Sequence, residues 1–221
     1  MNEALLREEI CRVGRSLFSR GYVHATAGNI SVRLDDGFLI TPTDACLGFL
    51  EPDALARVDA SGRQVAGAQA SKTLVLHRRI YAAHAALGIT VPRCVIHTHS
   101  THCVALTLAD PAGELLPPIT PYFVMKVGRV PVVPYHRPGA PEAAEAVASL
   151  ITRYAGHGTP LRAVMLARLG PNVWHDSPAQ AMAVLEELEE TAKLWMLAQP
   201  KPQPLGEEAL QQLRTAFGAR W

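Results

Sequence analysis

The sequence lacks the features that mark secreted, membrane-spanning and nucleic-acid-binding proteins. Its 221 residues hold 21 Lys and Arg against 20 Asp and Glu. With no basic run among them, we expect no nucleic-acid partner and no anionic membrane partner. No apolar stretch approaches the roughly 20 residues of a membrane span, and the N-terminus lacks the basic-then-apolar order of a signal peptide. We therefore expect a cytoplasmic protein whose partner is a small molecule.

Cysteine is also scarce. The four cysteines are scattered and form no Cys-x-x-Cys pair, which is typical of reduced, mostly buried thiols. Internal repeats and low-complexity tracts are absent as well. A chain with 48% hydrophobic and 19% charged residues can bury a sizeable core. We predict one domain over residues 1–221, in which residues 199–221 form a C-terminal tail with its own helix.

Helical and strand patterns interleave along the chain, which predicts an α/β protein. Asn2 can cap a first helix, and the alternation of residues 30–34 followed by Asp36-Gly37 predicts a hairpin. Residues 71–86 have the pattern of a second helix. The remaining predictions are strands at residues 94–97, 130–133 and 163–166, and helices at residues 141–154, 178–198 and 207–217.

Two histidines end the apolar run at residues 94–97. On a strand, the i, i+2 spacing of His97 and His99 places both imidazoles on one face. Two neutral imidazoles make half of a divalent-metal site, and a third protein ligand must then come from elsewhere. The alternative is that the two histidines simply flank a polar turn. The spacing alone leaves both interpretations open.

Several segments together resemble the class II aldolase and adducin family, whose members include fuculose-phosphate aldolases. The resemblance covers residues 5–198 and is nearest the 3-oxo-tetronate 4-phosphate decarboxylase branch. The matching segments are Thr26-Ala27-Gly28-Asn29-Ile30-Ser31, Thr41-Pro42-Thr43, Ser71-Lys72 with His77 and Tyr81, His97-Thr98-His99-Ser100, Pro121-Tyr122-Phe123-Val124-Met125, Val132-Val133-Pro134-Tyr135 with Arg137-Pro138-Gly139, and Glu186-Glu187-Leu188-Glu189-Glu190-Thr191-Ala192-Lys193.

The resemblance implies a class II aldolase-like three-layer fold, with a central, mainly antiparallel sheet between helical layers. It also implies a cyclic homotetramer with active sites at the subunit interfaces. The implied activity is that of a metal-dependent lyase that cleaves or decarboxylates a small keto, hydroxy or sugar acid through an enediolate. The family cofactor is a divalent metal ion, zinc, which polarises the ketone of the substrate.

The resemblance assigns roles to individual residues. His97 and His99 match two metal ligands, and Tyr122 matches the tyrosine that donates a proton in catalysis. A third group matches the loops that bind the phosphate of the substrate through amides and hydroxyls. Its members are Gly28, Asn29, Thr43, Asp44, Ser71 and Lys72.

Three positions depart from the family pattern. Thr73 stands where the family has the glutamate that binds the metal and shuttles a proton, and Leu169 stands where it has the third histidine. Leucine cannot bind a metal, and a threonine hydroxyl is no general base near neutral pH, so the metal should be held weakly or not at all. Asp44 replaces a glycine in the phosphate pocket. Its carboxylate repels a phosphate unless it pairs with Lys72 or points away into a turn.

Other histidines offer substitutes for the missing ligand. His102 lies one helical turn after His99, although a bond to a backbone carbonyl is the commoner outcome for such a residue. His24 is a second candidate, and His175 is expected to be solvated. Cys103 beside His102 is not positioned as a catalytic dyad, because adjacent helical side chains diverge.

Three functions remain open from the sequence. The first is a lyase of the family type. The second is a repurposed enzyme on the same scaffold, with an altered or absent metal site and with Asp44 or His24 as acid or base. The third is a non-catalytic binding or assembly protein, as in adducin heads. Fold-level likeness does not choose among them.

Overall fold

The computed structural model describes residues 2–109 and 113–221, and it confirms the predicted α/β class. The helices are α1 (Glu3–Ser19), α2 (Leu74–Ala86), α3 (Thr101–Leu106), α4 (Pro141–Gly156), α5 (Pro178–Leu197) and α6 (Glu207–Phe217). The strands are β1 (Asn29–Leu34), β2 (Gly37–Ile40), β3 (Ala56–Asp59), β4 (Gln64–Ala66), β5 (Cys94–His97), β6 (Val132–Val133), β7 (Ala163–Leu166) and β8 (Gly170–His175). A single turn of π-helix covers Phe123–Val127.

The strands form one sheet in the order β4-β3-β2-β1-β5-β8-β7-β6. Every pairing among the described strands is antiparallel except that of β6 with β7. The mainly antiparallel sheet is therefore confirmed. At its centre Asn29 of β1, His97 of β5 and Asn172 of β8 stand side by side in register, so their side chains project from one face of the sheet.

Helices cover both faces because the central strands are apolar on both sides. Ile96 faces a layer that includes Ile10 of α1 and Leu188 of α5. Val95, its neighbour in the strand, faces Ile80 of α2 and the buried face of α4. The alternation of strand side chains thus produces the predicted three-layer arrangement.

Most of the predicted elements are present. Asn2 caps α1 by accepting a hydrogen bond from the Ala4 amide at 2.9 Å. The hairpin joins β1 and β2 with Leu34 opposite Gly37. The second helix begins at Leu74 rather than residue 71, because Ser71, Lys72 and Thr73 form a turn whose Ser71 carbonyl accepts from the Leu74 amide.

The sequence prediction missed three strands, β3, β4 and β8. Strand β8 opens with Gly170, Pro171 and Asn172, which are residue types depleted in strands. Its place in the sheet comes from pairing with β5 and β7 on either side. None of the described helices is both long and apolar enough to cross a membrane.

Candidate functional site

A cavity of about 610 Å³ opens at the end of the sheet where β5 finishes. Its walls come from the loop before β1, the loop after β2, the turn before α2 and the loop that leads into α4. All the residues that the sequence assigns to substrate or metal binding line this one cavity. They are Gly28, Asn29, Thr43, Asp44, Ser71, Lys72, His97 and His99.

His97 and His99 lie close together, but not because they share a strand. Strand β5 ends at His97, so His99 belongs to the loop before α3, and our expectation of a common strand face is wrong. The loop brings the ring centroids to 5.1 Å at an interplanar angle of 68°. His97 Nδ1 lies 3.0 Å from the Pro171 carbonyl oxygen. A carbonyl can only accept, so Nδ1 carries the hydrogen and Nε2 keeps its lone pair.

Both imidazoles are neutral at physiological pH. Burial, reinforced by His99, lowers the pKa of His97 to about 4. Burial and the nearby His24 also lower the pKa of His99. Neutral imidazoles with a free lone pair can bind a metal ion or accept a hydrogen bond.

The two positions to which the resemblance assigns further metal ligands also face the cavity. Thr73 and Leu169 both line it. The Thr73 hydroxyl is 2.7 Å from Ser71 Oγ, and Leu169 packs against the apolar cluster of α2, α4 and β7. Neither side chain can replace a histidine or a carboxylate as a metal ligand.

No other side chain completes a metal site in the described part of the chain. Within residues 2–109 and 113–221, no group of three or more His, Cys, Asp or Glu is arranged to hold a metal ion. His102 is engaged elsewhere, since its Nδ1 lies 2.8 Å from a Glu189 carboxylate oxygen; our expectation of a carbonyl partner for His102 is wrong. The four-ligand zinc site that the resemblance implies therefore does not fit the positions assigned to it, of which only His97 and His99 carry imidazoles.

Glycines allow the backbone segments of the site to meet. Gly28 has φ +86°, and a Cβ there would lie 2.9 Å from the carbonyl oxygen of His97. At Gly170 a Cβ would lie 1.9 Å from the Thr98 carbonyl oxygen. A side chain at either position would push the loops away from the end of β5.

Asp44 has a backbone conformation that favours glycine. Its φ of +54° lies in the left-handed region, which aspartate tolerates better than most residues. The side chain is exposed. Among the described residues, no ion pair within 4.0 Å joins Asp44 to Lys72, so the pairing that the sequence left open as one alternative is not formed.

The structure adds residues that the sequence analysis did not single out for the site. Arg137 lines the cavity from the loop before α4, and only its place in the Arg-Pro-Gly segment pointed to this.

Several buried polar atoms around His97 have no protein partner among the described residues. They are Asn29 Oδ1, His77 Nε2 and both amide atoms of Asn172. Unpaired polar atoms are costly in a core and are typical of functional sites.

Tyr122 and three other candidates lie outside the cavity lining. Tyr122 is 60% exposed, so its catalytic role needs a neighbouring subunit and stays a prediction. His24 is exposed, whereas His175 is half-buried at the opposite end of β8. Cys103 is fully buried, and burial raises the pKa of its thiol, which leaves it unreactive.

Comparison with known proteins gives matches along nearly the whole chain. Residues 8–196 match the family described as Class II Aldolase and Adducin N-terminal domain. The 3-oxo-tetronate 4-phosphate decarboxylase of Cupriavidus necator is 54% identical over 99% of each chain. Among solved structures, YgbL of Klebsiella pneumoniae, a candidate aldolase, epimerase or decarboxylase, superimposes with a TM-score of 0.86 at 39% identity over 97% of this chain and 100% of its own.

A more distant relative shares the same fold. The L-fuculose-1-phosphate aldolase of Thermus thermophilus superimposes with a TM-score of 0.71 at 28% identity, over 89% of this chain and 98% of its own. The likeness thus extends from decarboxylases to an aldolase on one scaffold.

Proposed function

The chain belongs to the class II aldolase and adducin family, and on this basis we propose that it is a carbon–carbon lyase that decarboxylates a small 3-oxo sugar acid. The relative from Cupriavidus necator, named a 3-oxo-tetronate 4-phosphate decarboxylase, supports this choice of reaction. The cavity of about 610 Å³ has room for a four-carbon acid phosphate.

The observation that carries the proposal is Thr73. Aldol cleavage begins when a base removes the proton of the substrate hydroxyl, and Thr73, bonded to Ser71, is no base. Decarboxylation of a 3-oxo acid needs no base to begin. The bond between C1 and C2 breaks, CO2 leaves, and the electron pair moves into the C3 ketone to form an enolate. One proton added at C2 then gives the product ketone.

The proposed roles follow the walls of the cavity. The amides and hydroxyls at Gly28, Asn29, Thr43 and Ser71 bind the anionic end of the substrate. The Lys72 ammonium stabilises negative charge as the enolate forms. Tyr122 of a neighbouring subunit donates the final proton.

We propose that His97 and His99 hold a divalent metal ion, zinc in the family, only weakly. A catalytic zinc site uses three protein ligands, and these two imidazoles supply fewer. The stabilisation of the enolate therefore rests chiefly on Lys72 and on neutral hydrogen-bond donors.

The test compares two reactions of the purified protein. With 3-oxo-tetronate 4-phosphate we expect CO2 release above the spontaneous rate, and with L-fuculose 1-phosphate we expect no aldol cleavage. Lys72→Met should slow CO2 release by about 10²-fold, the typical effect of removing one electrostatic stabiliser. Lys193→Met, the same change at a half-exposed position on α5, is the matched control and should leave the rate unchanged. Aldol cleavage as fast as decarboxylation, or CO2 release at the spontaneous rate, would refute the proposal.

A substrate without phosphate is the second candidate, and Asp44 favours it. The exposed Asp44 carboxylate has no cationic partner within 4.0 Å among the described residues, so it repels a phosphate dianion in the same cavity. Calorimetric titration with the 3-oxo acid and with its 4-phosphate separates the two candidates. Binding of neither compound would favour a non-catalytic role.

A further inference from the structure

A second cavity, of about 510 Å³, lies at the opposite end of the sheet from His97 and His99. Its walls come from the loop after α2, the loop before β7, the end of β8 and the C-terminal residues. Strands β5 and β8 connect the two cavities, because Cys94 pairs with His175 at one end and His97 with Asn172 at the other. Three residue steps at 3.3 Å each separate these ends by about 10 Å.

Two arginines, Arg162 and Arg220, line this second cavity. Arg162 is half-buried, and its Nη1 donates to the carbonyl oxygens of Met125 at 3.0 Å and Lys126 at 3.1 Å. Those bonds fix the guanidinium in place. Its Nε and Nη2 groups have no hydrogen-bond partner among the described residues. Neither Arg162 nor Arg220 forms an ion pair within 4.0 Å in the described ranges.

The charges around the cavity are mostly positive. Burial lowers the pKa of Arg162 and the like charge of Arg220 lowers it further, whereas the Asp176 carboxylate raises it. Lys126 adds to the positive field near His175. Among the described residues that line the cavity, Asp176 alone carries a carboxylate, and it lies 3.8 Å from His175 Nδ1. Arg162 is half-buried and Arg220 is exposed, and both line the same cavity. Their like charges repel each other, and an anion bound between them would offset that repulsion.

We propose that this cavity binds a small organic oxyanion, a phosphate monoester or a carboxylate, between Arg162 and Arg220. A planar guanidinium matches both kinds of group through paired N–H donors. The volume exceeds that of the oxyanion alone, and Val124, Val127 and Pro92 provide apolar wall for a carbon body. This site is separate from the one assigned to the lyase reaction.

The experiment uses a tryptophan as a local reporter. Trp174 lines the second cavity and does not line the first. The full chain is labelled with 5-fluorotryptophan, and its Trp174 resonance is assigned with Trp174→Phe. We titrate sn-glycerol 3-phosphate, glycerate and, as the uncharged control, glycerol. A saturable shift of the Trp174 fluorine signal with one of the oxyanions and none with glycerol is the expected result, and the responding compound identifies the phosphate or the carboxylate as the ligand group.

Variants separate this cavity from general charge effects. Arg220→Gln changes an exposed residue and should weaken the titration at least tenfold, as expected for a lost charge-assisted hydrogen bond. Arg12→Gln makes the same change at an exposed position of α1 and should leave it unchanged. Lys72→Gln, which alters the first cavity, should leave the Trp174 titration intact. Absence of a saturable Trp174 shift, or equal weakening by Arg220→Gln and Arg12→Gln, would overturn the proposal.

Discussion

Single residues in the first cavity decide which chemistry the family scaffold can perform. Leu169 and Thr73 line the same cavity as His97 and His99, at positions where the resemblance expects a histidine and a glutamate. The geometry of the two remaining imidazoles is suited to a metal, because His97 keeps its Nε2 lone pair. The site has fewer protein ligands than a zinc site normally uses, and the number of ligands sets much of the affinity for zinc.

Replacing Leu169 with histidine should therefore raise zinc retention. We expect Leu169→His to keep more zinc than the wild type after dialysis against a mild chelator, measured by elemental analysis. Leu169→Phe is the control, since it fills the position with a ring that cannot bind metal. Adding Thr73→Glu restores the base, and aldol cleavage should then rise by about 10²- to 10⁴-fold. A wild-type protein that already retains one zinc per chain would contradict this expectation.

Asp44 offers a second test at this scale. Its φ of +54° suits glycine better than aspartate, so Asp44→Gly should stabilise the fold by up to about 1 kcal/mol, the relief of strain less the extra entropy that glycine loses on folding. The same change should strengthen the binding of a sugar phosphate by removing a negative charge. Urea unfolding and calorimetry measure the two effects. Asp53→Gly, at a position without positive φ, should lower stability instead; stabilisation by both changes would argue against the strain.

Among the secondary-structure elements, the short helix α3 depends on a carboxylate from α5. Glu189 is 4% exposed, and its oxygens accept hydrogen bonds from the amides of His102 at 2.8 Å and Cys103 at 3.0 Å. These are the second and third amides of a six-residue helix that begins at Thr101, two residues after His99. The helix is too short to be stable alone, so Glu189 helps to fix the loop that carries His99.

Removing the Glu189 charge should loosen this helix. We expect Glu189→Gln to lower the free energy of unfolding by about 1–3 kcal/mol, because a buried acceptor for two amides and an imidazole is weakened. Urea unfolding measures the loss. Glu8→Gln, on the exposed side of α1, should change it by less than about 0.5 kcal/mol. Equal effects of the two changes would show that Glu189 does not cap α3.

For the whole molecule, the role predicted for Tyr122 depends on the predicted assembly. The resemblance assigns it a catalytic role, yet it is 60% exposed on one chain and lies outside the cavity. The two facts agree if active sites form between subunits. Assembly therefore decides whether the predicted proton donor can reach the substrate.

We expect light scattering to report a homotetramer, four times the 23.9 kDa of one chain. Tyr122→Phe should keep that mass and reduce CO2 release, because only the phenolic hydroxyl is lost. A stable monomer with full activity would refute a site shared between subunits.

Local patterns in the sequence were sufficient to predict most helices, the hairpin and the central strand. The signals that predict these elements act over a few residues, so they can be recognised without knowledge of the fold. They include Asn2, Pro141 and the apolar periodicity of α1 and α5. The same holds for the segments that carry the family resemblance, including those of Asn29, Thr43 and His97. Strand β8 could not be predicted from local patterns, because Gly170 and Pro171 are held in place by pairing partners distant in the chain.

Only the tertiary structure decided which of these residues share a space. The closeness of His97 and His99 depends on the loop between β5 and α3, and the hydrogen bond of His102 depends on Glu189 from α5. The placement of Arg162 and Arg220 on one cavity depends on packing of the C-terminal segment. Residue types and local periodicity specify elements, because they depend on neighbours within a few positions. Cavities, unpaired polar atoms and charge clusters depend on long-range packing, which sequence spacing does not encode.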